Sequence, residues 1–330
     1  MSALLGDINR RDFLKFCSTT AVIFGLSQAE FVSRVKNVLA ATASNKLPVI
    51  WLEGQDCAGC TISFAGILNP PVASIILDKL SIRYHETLMA AAGHQSEDAF
   101  HNTVKEGGYV LIVEGSIPSA DDRFCMVGGR PYKETILEAA SNAAAIIAVG
   151  ACAAFGGIPA AGPTGAVGVG KVVSGKPIIN LPSCPVHPDH LASTVLYYLT
   201  TGKIPPLDPR NRPLMFFREN VHDNCRRRSH YENEQFLMDW NDPEQKNWCL
   251  FKKGCKGTDT LSDCPVRRWN DGTNFCIDCG GGCKGCTKFV FYAGMSPLYA
   301  ADINTPIDKI NERTKLGLAK QSNKESRKEA

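Results

Sequence analysis

The sequence has no long apolar run and no excess of charge of either sign. Its most apolar stretch, residues 143–157, is short and rich in alanine and glycine. A membrane-spanning helix needs about 20 consecutive apolar residues, so we expect the chain to have no transmembrane anchor of its own. Lysine and arginine number 36 against 33 acidic residues. This near balance argues against a nucleic-acid-binding protein, because such proteins concentrate a larger basic excess on one face.

Cysteine, in contrast, is abundant and clustered. Eight of the 14 cysteines lie between His222 and Cys286, in a stretch that ends with CIDCGGGCKGC at residues 276–286. Thiols at this density indicate a disulfide framework, zinc sites or iron–sulfur sites. A second set lies earlier in the chain, in the motifs DCAGC, VGACAAFGG and LPSCPVHP.

The first 43 residues are predicted to be a twin-arginine signal peptide. Arg10 and Arg11 precede the apolar run STTAVIFGL, and residues 41–43 form a small-residue cleavage site. The alternative is a cytoplasmic amphipathic helix. Because the twin-arginine route exports folded proteins, thiolate clusters can be built in the reducing cytoplasm before export. We therefore expect a periplasmic protein that reaches the membrane only through a partner.

Short apolar runs alternate with helical patterns from residue 47 to residue 199. Strands are predicted at 48–53, 109–115, 145–151 and 176–182, and helices at 74–80, 133–143 and 188–199. Strands that alternate with helices form a parallel, doubly wound sheet. Because the runs are apolar throughout, both faces of this sheet are predicted to be covered. The predicted fold class is α/β.

Four cysteines follow predicted strands of this sheet. Cys57 and Cys60 come after the first strand, and Cys152 and Cys184 come after two later ones. Open α/β sheets bind ligands at the carboxyl ends of their strands, so we expect the four thiolates to form one tetrahedral site. Such a site suits a [4Fe–4S] cluster or zinc. One CxxC motif joined by two distant cysteines favours the cluster.

Five histidines of this region have spacings or positions that could serve either a metal site or a structural role. His85, His94 and His101 lie near a helical segment and are predicted to be solvated or to cap it. His187 and His190 lie beside Cys184, where they either line the first site or begin the following helix.

The proline-rich segment 205–212 is the predicted domain boundary. The chain after it has little periodicity, which is typical of a small domain held together by metal sites. Spacing divides the later ligands into two sets of four: His222, Cys225, Cys249 and Cys255, and then Cys264, Cys276 or Cys279, Cys283 and Cys286. With the four cysteines of the sheet, these sets give twelve ligands for three clusters.

These ligand sets, with the motifs NVHDNC, GCKG, SDCPVRRWNDG and GCKGC, resemble the small subunit of a periplasmic [NiFe] or [NiFeSe]-like uptake hydrogenase over nearly the whole chain. We accordingly predict a signal peptide at 1–43, a flavodoxin-like domain at 44–205, a mostly irregular iron–sulfur domain at 206–305 and a polar C-terminal tail at 306–330.

The resemblance implies a role for each ligand. Cys57, Cys60, Cys152 and Cys184 match the proximal [4Fe–4S] ligands, His222, Cys225, Cys249 and Cys255 match the distal [4Fe–4S] ligands, and Cys264, Cys283 and Cys286 match three medial ligands. Glu114 matches an acidic position beside the proximal cluster. Cys276 stands where many relatives have proline and a [3Fe–4S] cluster, so we predict that its thiolate completes a medial [4Fe–4S] cluster. Cys279 is the competing ligand, and Cys125 is predicted to be a buried thiol.

The function that the resemblance implies is electron transfer within a hydrogenase. Hydrogen would be split at the Ni–Fe centre of a large subunit, so no catalytic residue is expected in this chain. Electrons would pass through the three clusters to cytochrome c or a membrane cytochrome b. One alternative is a small subunit of a related quinone- or coenzyme-reducing complex, and another is a zinc-binding module without a redox role.

A basic face is predicted around the distal ligands. Arg226, Arg227 and Arg228 directly follow Cys225, and three lysines at positions 252, 253 and 256 flank Cys255. Such a face favours an acidic electron acceptor. The alternative is an ordinary solvated run of charges.

Overall fold

The computed structural model describes residues 46–68 and 71–291, so the predicted signal peptide and C-terminal tail lie outside the described residues. The chain divides into two compact units, the first ending at Met215 and the second beginning at Phe216. No helix in the described ranges is both long enough and apolar enough to cross a membrane.

The first unit is built on a five-stranded parallel sheet. Its strands are β1 (Leu47–Glu53), β2 (Leu80–His85), β3 (Val110–Glu114), β6 (Ala145–Val149) and β7 (Ile178–Leu181). Their spatial order is β2-β1-β3-β6-β7. A separate antiparallel hairpin consists of β4 (Met126–Val127) and β5 (Arg130–Pro131). The order of the five parallel strands is the flavodoxin-like one, so the predicted fold class is confirmed.

Helices and short helical turns connect these strands. The α-helices of the first unit are α1 (Gly59–Ala65), α2 (Val72–Ser74), α3 (His94–Glu106), α4 (Tyr132–Ser141), α5 (Gly150–Phe155) and α6 (Pro188–Thr201). A π-helical turn (Ile75–Lys79) continues α2, and 3-10 turns lie at Asp122–Phe124, Ile158–Ala161 and Val169–Lys171. The predicted helix at 74–80 is thus this π-helical turn, and the strand β2 that follows it was not predicted.

The register of the sheet aligns the carboxyl ends of four strands. Glu53 at the end of β1 pairs with Glu114 at the end of β3, and Glu114 pairs with Val149 at the end of β6. Val149 in turn pairs with Leu181 at the end of β7. The loops that leave these strands therefore start side by side at one edge of the sheet.

The core of the first unit consists of the central strands and the helices packed on them. The strands β1, β3 and β6 are apolar along most of their length and almost wholly buried. Their Ile50, Leu111 and Ile146 side chains belong to the same cluster as Phe100 of α3 and Tyr132 of α4. Burial of this apolar surface fixes where each strand ends, and hence where the cysteine-bearing loops begin.

Between residues 216 and 291, the second unit has little regular structure. Its helices are α7 (Arg228–Glu232) and α8 (Cys264–Arg267), with 3-10 turns at Glu244–Asn247, Phe251–Lys253 and Gly257–Asp259. A small apolar cluster contains Val221, Leu237, Leu250, Phe275 and Ile277, together with the buried thiol of Cys283. Because a predicted ligand belongs to this core, folding and ligand placement are coupled in the second unit.

Candidate cluster sites

The four cysteines of the first set lie at the aligned carboxyl edge of the sheet. Cys57 is in the loop after β1, and Cys60 is in the first turn of α1. Cys152 is in α5, which starts directly after β6, and Cys184 follows β7. A methyl group added at Gly150 would lie 2.5 Å from Cys60 Sγ, so the β6–α5 junction rests against the thiol of α1. The structure therefore brings together the segments that the sequence predicted to converge.

Glycines leave room beside three of these sulfurs. A methyl group at Gly59 would lie 3.1 Å from Cys57 Sγ, and one at Gly157 would lie 2.7 Å from Cys152 Sγ. Gly150 and Gly157 also have positive φ angles of 82° and 55°, which L-residues with side chains seldom adopt. Glycine at these positions allows the backbone to approach the sulfurs as closely as a bulky cofactor requires.

The electrostatics of this site favour the neutral thiols unless positive charge is supplied. Burial raises the pKa of Cys60 well above its usual range, and the carboxylate of Glu114 and the neighbouring thiols raise it further. Burial, followed by the charge of Cys184, raises the pKa of Cys152 to about 12. Backbone donors partly oppose both effects: the Val186 N–H donates to Cys60 Sγ at 3.3 Å, and a hydrogen bond from the Ile158 backbone lowers the pKa of Cys152. Iron would supply the missing positive charge, so this donor set fits an iron–sulfur cluster.

A buried carboxylate fixes the start of α1. Glu114, at the end of β3, is 1% exposed. Its two oxygens accept hydrogen bonds from the backbone N–H groups of Cys60 and Thr61, both at 2.9 Å. They also accept from Thr61 Oγ1 at 2.7 Å and from Trp51 Nε1 at 3.3 Å. Glu114 thus lies beside the first set, as predicted, and positions Cys60 through its backbone.

A second carboxylate and a histidine extend this network. Thr61 Oγ1 lies 2.9 Å from Glu53 Oε1 and 3.5 Å from His85 Nε2. His85 is fully buried and stacks on Trp51 with ring centroids 5.0 Å apart, so the prediction that it is solvated was wrong. Burial lowers the pKa of His85 to about 4. Glu53 was missed, although an acidic residue at the end of an apolar strand is the same signal that marks Glu114.

The two histidines after Cys184 belong to a helix start. His187 is the N-cap of α6, and its Nδ1 accepts a hydrogen bond from the Asp189 backbone N–H at 3.2 Å. The rings of His187 and His190 stack at 4.8 Å and are both buried. Of the two predicted roles, the geometry supports the helix start.

The second ligand set lines a single pocket in the second unit. A pocket of about 330 Å³, including its opening to solvent, is lined by His222, Cys225, Cys249 and Cys255. Apolar side chains from Leu250, Phe251 and Ile277 complete its wall. Tyr231 packs against the His222 ring with centroids 4.6 Å apart. The four side chains that spacing grouped together therefore do face one another.

Backbone hydrogen bonds hold the ligand-bearing turns of this pocket. The His222 N–H donates to the Gly257 carbonyl at 3.0 Å, and the Cys225 N–H donates to the His222 carbonyl at 3.1 Å. The Cys255 N–H donates to the Leu250 carbonyl at 3.2 Å. Burial, followed by the charges of Cys255 and Cys225, raises the pKa of Cys249 to about 11.

The arginines next to this pocket do not form the predicted basic face. Arg227 is buried, and its guanidinium donates to the carbonyls of residues 246 and 248. Arg226 is paired with Asp278 at 2.9 Å, and Arg228 is paired with Glu232 at 2.8 Å. The prediction was wrong for these arginines because Arg226 is paired with the distant Asp278, Arg228 is paired with Glu232 one helical turn away, and Arg227 has a structural role.

The third ligand set is gathered beside the second. Cys264 begins α8, and Ser262 Oγ lies 3.1 Å from its sulfur. Burial raises the pKa of Cys264, and the Cys276 thiol is close enough to raise it further. Cys283 is buried, and its pKa is raised by burial and then by the nearby Cys255 and Cys264. Cys276, Cys264 and Cys283 are thus neighbours.

Cys286 is held near the same place by the residues around it. A methyl group at Gly285 would lie 3.4 Å from Thr260 Oγ1, and Thr287 Oγ1 donates to the Leu261 carbonyl at 2.8 Å. Cys286 therefore lies against the segment that leads to Cys264.

One hydrogen bond joins the second and third sets directly. The backbone N–H of Cys283 donates to Cys255 Sγ at 3.2 Å. In return, the Lys256 N–H donates to the Cys283 carbonyl at 2.8 Å. The peptide N–H of Cys283 therefore contacts the sulfur of Cys255, although the two cysteines are predicted ligands of different clusters.

The remaining thiols lie outside these sets. Cys125 packs against the core of the first unit, and burial raises its pKa to about 11, as expected of a buried thiol. Cys279 is exposed on the same turn as Cys276. All 13 cysteines of the described ranges are free thiols. Within residues 46–68 and 71–291, no three histidine, cysteine or acidic side chains converge tightly enough to chelate a single metal ion.

Comparison with known proteins separates the two halves of the chain. Residues 57–198 match the family described as NADH ubiquinone oxidoreductase, 20 kDa subunit. Residues 217–299 match the family described as the C-terminal part of the NiFe/NiFeSe hydrogenase small subunit. The uptake hydrogenase small subunit of Azotobacter vinelandii is 43% identical over 291 residues, which are 86% of this chain and 80% of that protein. The chain belongs to the [NiFe]-hydrogenase small-subunit family.

Other small subunits agree with this assignment. The hydrogenase-2 small chain of Escherichia coli K12 is 40% identical over 308 residues, 91% of this chain and 82% of that protein. A solved [NiFeSe]-hydrogenase of Desulfomicrobium baculatum superposes with a TM-score of 0.73 at 36% identity, covering 78% of this chain and 100% of that chain. This chain is therefore the electron-transferring partner of a [NiFe] large subunit, and the hydrogenase is the complex of the two.

The second half of the chain decides between the redox alternatives. The first half of the chain matches a family named for a quinone-reducing complex, so this half does not distinguish a hydrogenase small subunit from a subunit of a quinone-reducing complex. The segment with the second and third ligand sets matches only the hydrogenase family among the matches found. Small subunits of this family carry iron–sulfur clusters, and this chain has the cysteines for them.

Proposed function

We propose that this small subunit holds three clusters that relay electrons from H2 oxidation at the Ni–Fe centre of the large subunit to an external redox partner. The proximal [4Fe–4S] ligands are Cys57, Cys60, Cys152 and Cys184, the distal [4Fe–4S] ligands are His222, Cys225, Cys249 and Cys255, and the medial [4Fe–4S] ligands are Cys264, Cys276, Cys283 and Cys286. When bound, the clusters supply closely spaced redox centres, and the chain sets their burial and hydrogen bonding.

The proposal rests mainly on the geometry of the proximal site. Three separate segments bring four thiols to the aligned strand ends, and glycines lie directly against three of the sulfurs. A disulfide needs two thiols and no such clearance, whereas a cluster needs four thiols and a backbone that can approach its sulfides.

Metal analysis tests this proposal against a zinc-binding module. We expect the purified heterodimer to contain iron and acid-labile sulfide in nearly equal amounts in its small subunit, with zinc well below one atom per chain. Stoichiometric zinc without sulfide would contradict the proposal. Substitution of Cys152 by serine should remove proximal iron, while the matched substitution Cys125→Ser should leave the iron content unchanged, because Cys125 lies in the hydrophobic core.

The fourth medial ligand is proposed to be Cys276. Its thiol lies close enough to contribute to the raised pKa of Cys264 and of Cys255. EPR of the oxidised heterodimer tests the choice. Wild type should lack a stoichiometric three-iron signal, Cys276→Pro should gain one, and Cys279→Ser should not. The opposite pattern would assign the ligand to Cys279.

Export by the twin-arginine route is the proposed path to the periplasm. It rests on Arg10 and Arg11 and the apolar run after them. Replacing both arginines by lysine should leave the assembled heterodimer in the cytoplasm, with its clusters intact. Periplasmic enzyme in that variant would contradict the proposal.

The electron acceptor is proposed to be cytochrome c or a membrane cytochrome b, docking beside the distal site. His222 lies at the pocket with Tyr231 packed on its ring. Since Arg226 and Arg228 are neutralised by ion pairs, electrostatic steering by this face is expected to be weak. Rates of cytochrome reduction should therefore change little with ionic strength, and a steep fall with salt would restore the basic-face hypothesis.

A further inference from the structure

A buried carboxylate lies between the two candidate thiols of the medial site. Asp278 stands between Cys276 and Cys279, and its side chain is 7% exposed. Arg226 Nε lies 2.9 Å from Asp278 Oδ1, and Arg226 Nη2 donates to the Asp278 carbonyl at 3.3 Å. Arg268 Nε lies 3.6 Å from Asp278 Oδ2. The Oδ1 contact is an ion pair without hydrogen-bond geometry, because this oxygen accepts no hydrogen bond.

Three ligand-bearing segments meet at this carboxylate. Arg226 directly follows the distal ligand Cys225. Arg268 directly follows α8, the helix that begins at the medial ligand Cys264. Asp278 itself lies two residues after Cys276. A displacement of the Asp278 side chain would therefore change contacts of all three segments.

The turn that carries Asp278 has a fixed alternation of inward and outward side chains. Phe275 and Ile277 are 5% and 2% exposed and belong to the apolar cluster of the second unit. Cys276 and Cys279 are both exposed at its surface. The turn is closed by hydrogen bonds from the Cys279 N–H to the Phe275 carbonyl and from the Gly281 N–H to the Cys276 carbonyl. Asp278 adds a third, charged anchor after the two apolar ones.

This third anchor decides which thiol faces the medial site. The two cysteines are three residues apart on one turn, so a rotation of the turn would exchange them. Apolar contacts are non-directional and resist such a rotation weakly. The ion pairs of two arginines with one largely buried carboxylate are directional. An unpaired charge left there would lower the stability of the fold.

We propose that Asp278 is a positioning residue that holds Cys276, rather than Cys279, at the fourth corner of the medial site. This inference rests on the proposed function, because it presupposes a medial cluster. Asp278 acts through the turn and through Arg226 and Arg268, and it does not itself bind iron.

The experiment removes the competing thiol first. In a Cys279→Ser heterodimer, only Cys276 remains on the turn, and Asp278→Ala is then added. Second-coordination-sphere changes of this kind weaken metal binding by about 10-fold to 100-fold. Under ferricyanide, a [4Fe–4S] cube in its 2+ state that lacks a firm fourth ligand becomes a 1+ [3Fe–4S] cluster, releasing one Fe2+ and passing one electron to ferricyanide. The readouts are the three-iron EPR signal and the iron released to a chelator.

The proposal predicts the three-iron signal in Asp278→Ala/Cys279→Ser and not in Cys279→Ser alone. Asp278→Glu in the same background should restore most of the cube, since it keeps the charge. Glu232→Ala is the matched control, because it removes an exposed partner of the neighbouring Arg228 and should give no signal. Proximal cluster signals, unchanged throughout, would show that the fold is intact, because the proximal ligands lie in the first unit, away from Asp278 in sequence.

Two results would overturn the proposal. One is a medial cube that survives ferricyanide equally well with and without Asp278. The other is a three-iron signal of equal size in Glu232→Ala. If the alanine variant does not assemble, Asp278→Asn replaces it, because the amide fills the same volume without the charge, and an intact cube in that variant also overturns the proposal. A wild-type heterodimer without any medial cluster would instead refute the proposed function, so the two failures are distinguishable.

Discussion

At the scale of single residues, the candidate sites depend on buried polar groups that position ligands without being ligands. Glu114 accepts two backbone N–H groups at the start of α1, and Arg227 donates to two carbonyls just before Cys249. Each replaces water as the partner of groups that would otherwise be buried and unpaired, which costs roughly 1–3 kcal/mol per group. Their substitution should affect stability and cluster content together.

Removal of the Glu114 carboxylate should show this link. In Glu114→Ala, the N–H groups of Cys60 and Thr61 lose their acceptor inside the protein, so we expect a loss of about 3 kcal/mol and partial loss of proximal iron. The measurement is the denaturant midpoint of the purified heterodimer, combined with iron analysis. Glu134→Ala, at an exposed position of α4, is the control and should change neither. Unaltered stability in Glu114→Ala would show that water enters the site and replaces the carboxylate.

His85 should make the stability of the first unit depend on pH in a defined window. Its pKa falls from 6.5 to about 4 on folding because it is buried. The unfolded chain therefore takes up the proton first as pH falls below 6.5, and stability is lost progressively down to about pH 4, by at most about 3 kcal/mol. Above pH 6.5 this group contributes no pH dependence.

The test compares wild type with His85→Phe, which keeps an aromatic ring on Trp51. The difference in thermal midpoint between the two heterodimers should be constant above pH 6.5 and should move in favour of the phenylalanine variant toward pH 4. Because Glu53 and Glu114 are present in both proteins, their titration largely cancels from the difference. A difference that does not vary with pH would mean that folding does not change the pKa of His85.

Sequence reasoning located the residues that belong to motifs. It did not find roles that depend on contacts with segments distant in sequence. The cysteines and His222 were located because ligand spacing is local in sequence. Asp278 was missed and the role predicted for His85 was wrong, because their partners lie in other segments, for example Arg226 and Trp51. No periodicity or spacing reports an ion pair between residues 52 positions apart.

At the scale of elements, the junctions after strands are the critical parts of the first unit. The strands themselves were predictable because β1, β3, β6 and β7 are continuous apolar runs. The strand β2 was not, because its exposed Arg83 interrupts the run and the π-helical turn before it leads straight into the strand. The sequence likewise predicted that cysteines follow the strands, and the structure adds the distances at which glycines lie against three of the sulfurs.

The β6–α5 junction offers a sharp test of that packing. In Gly150→Ala, the new methyl group would lie 2.5 Å from Cys60 Sγ and the residue would keep a φ of +82°. We expect loss of proximal iron and of H2-driven electron transfer, beyond the roughly 1–2 kcal/mol that a left-handed backbone costs alone. The readout is the proximal cluster content of the isolated heterodimer.

Gly175 provides the matched control for backbone strain. Its φ is +71°, and a methyl group added there would meet nothing within 4 Å. Gly175→Ala should therefore incur only the conformational cost and retain its iron. Equal iron loss in both variants would mean that strain, and not contact with the Cys60 sulfur, is responsible.

At the scale of the whole molecule, the proximal site is flanked by exposed apolar side chains. Ile62, two residues after Cys60, is 68% exposed, and Ile158, which follows Gly157, is 44% exposed. Exposed apolar groups beside a site typically mark an interface with a partner. The large subunit is the partner that the family implies, and under the proposed function it lies against the proximal site.

Substitution of Ile62 by aspartate should weaken this assembly. A carboxylate placed in an apolar interface costs about 3 kcal/mol, which corresponds to roughly a 100-fold weaker complex. Pull-down of the large subunit at decreasing concentration measures the loss. Leu137→Asp, at an equally apolar and 45% exposed position on α4, is the control and should assemble normally. Normal assembly of Ile62→Asp would place the large subunit on another face.

The central claim is that this chain conducts electrons released from H2, and one spectroscopic experiment tests it most directly. The heterodimer is isolated under oxidising conditions, placed under H2 without any added mediator, and followed by Mössbauer spectroscopy and EPR. The account predicts that iron in the small subunit becomes reduced, at clusters ligated by all three sets, and that Cys152→Ser, which removes the proximal site, blocks reduction of the other two. Medial and distal iron that stays oxidised under H2 in active wild-type enzyme, or that is reduced equally well without the proximal site, would contradict it.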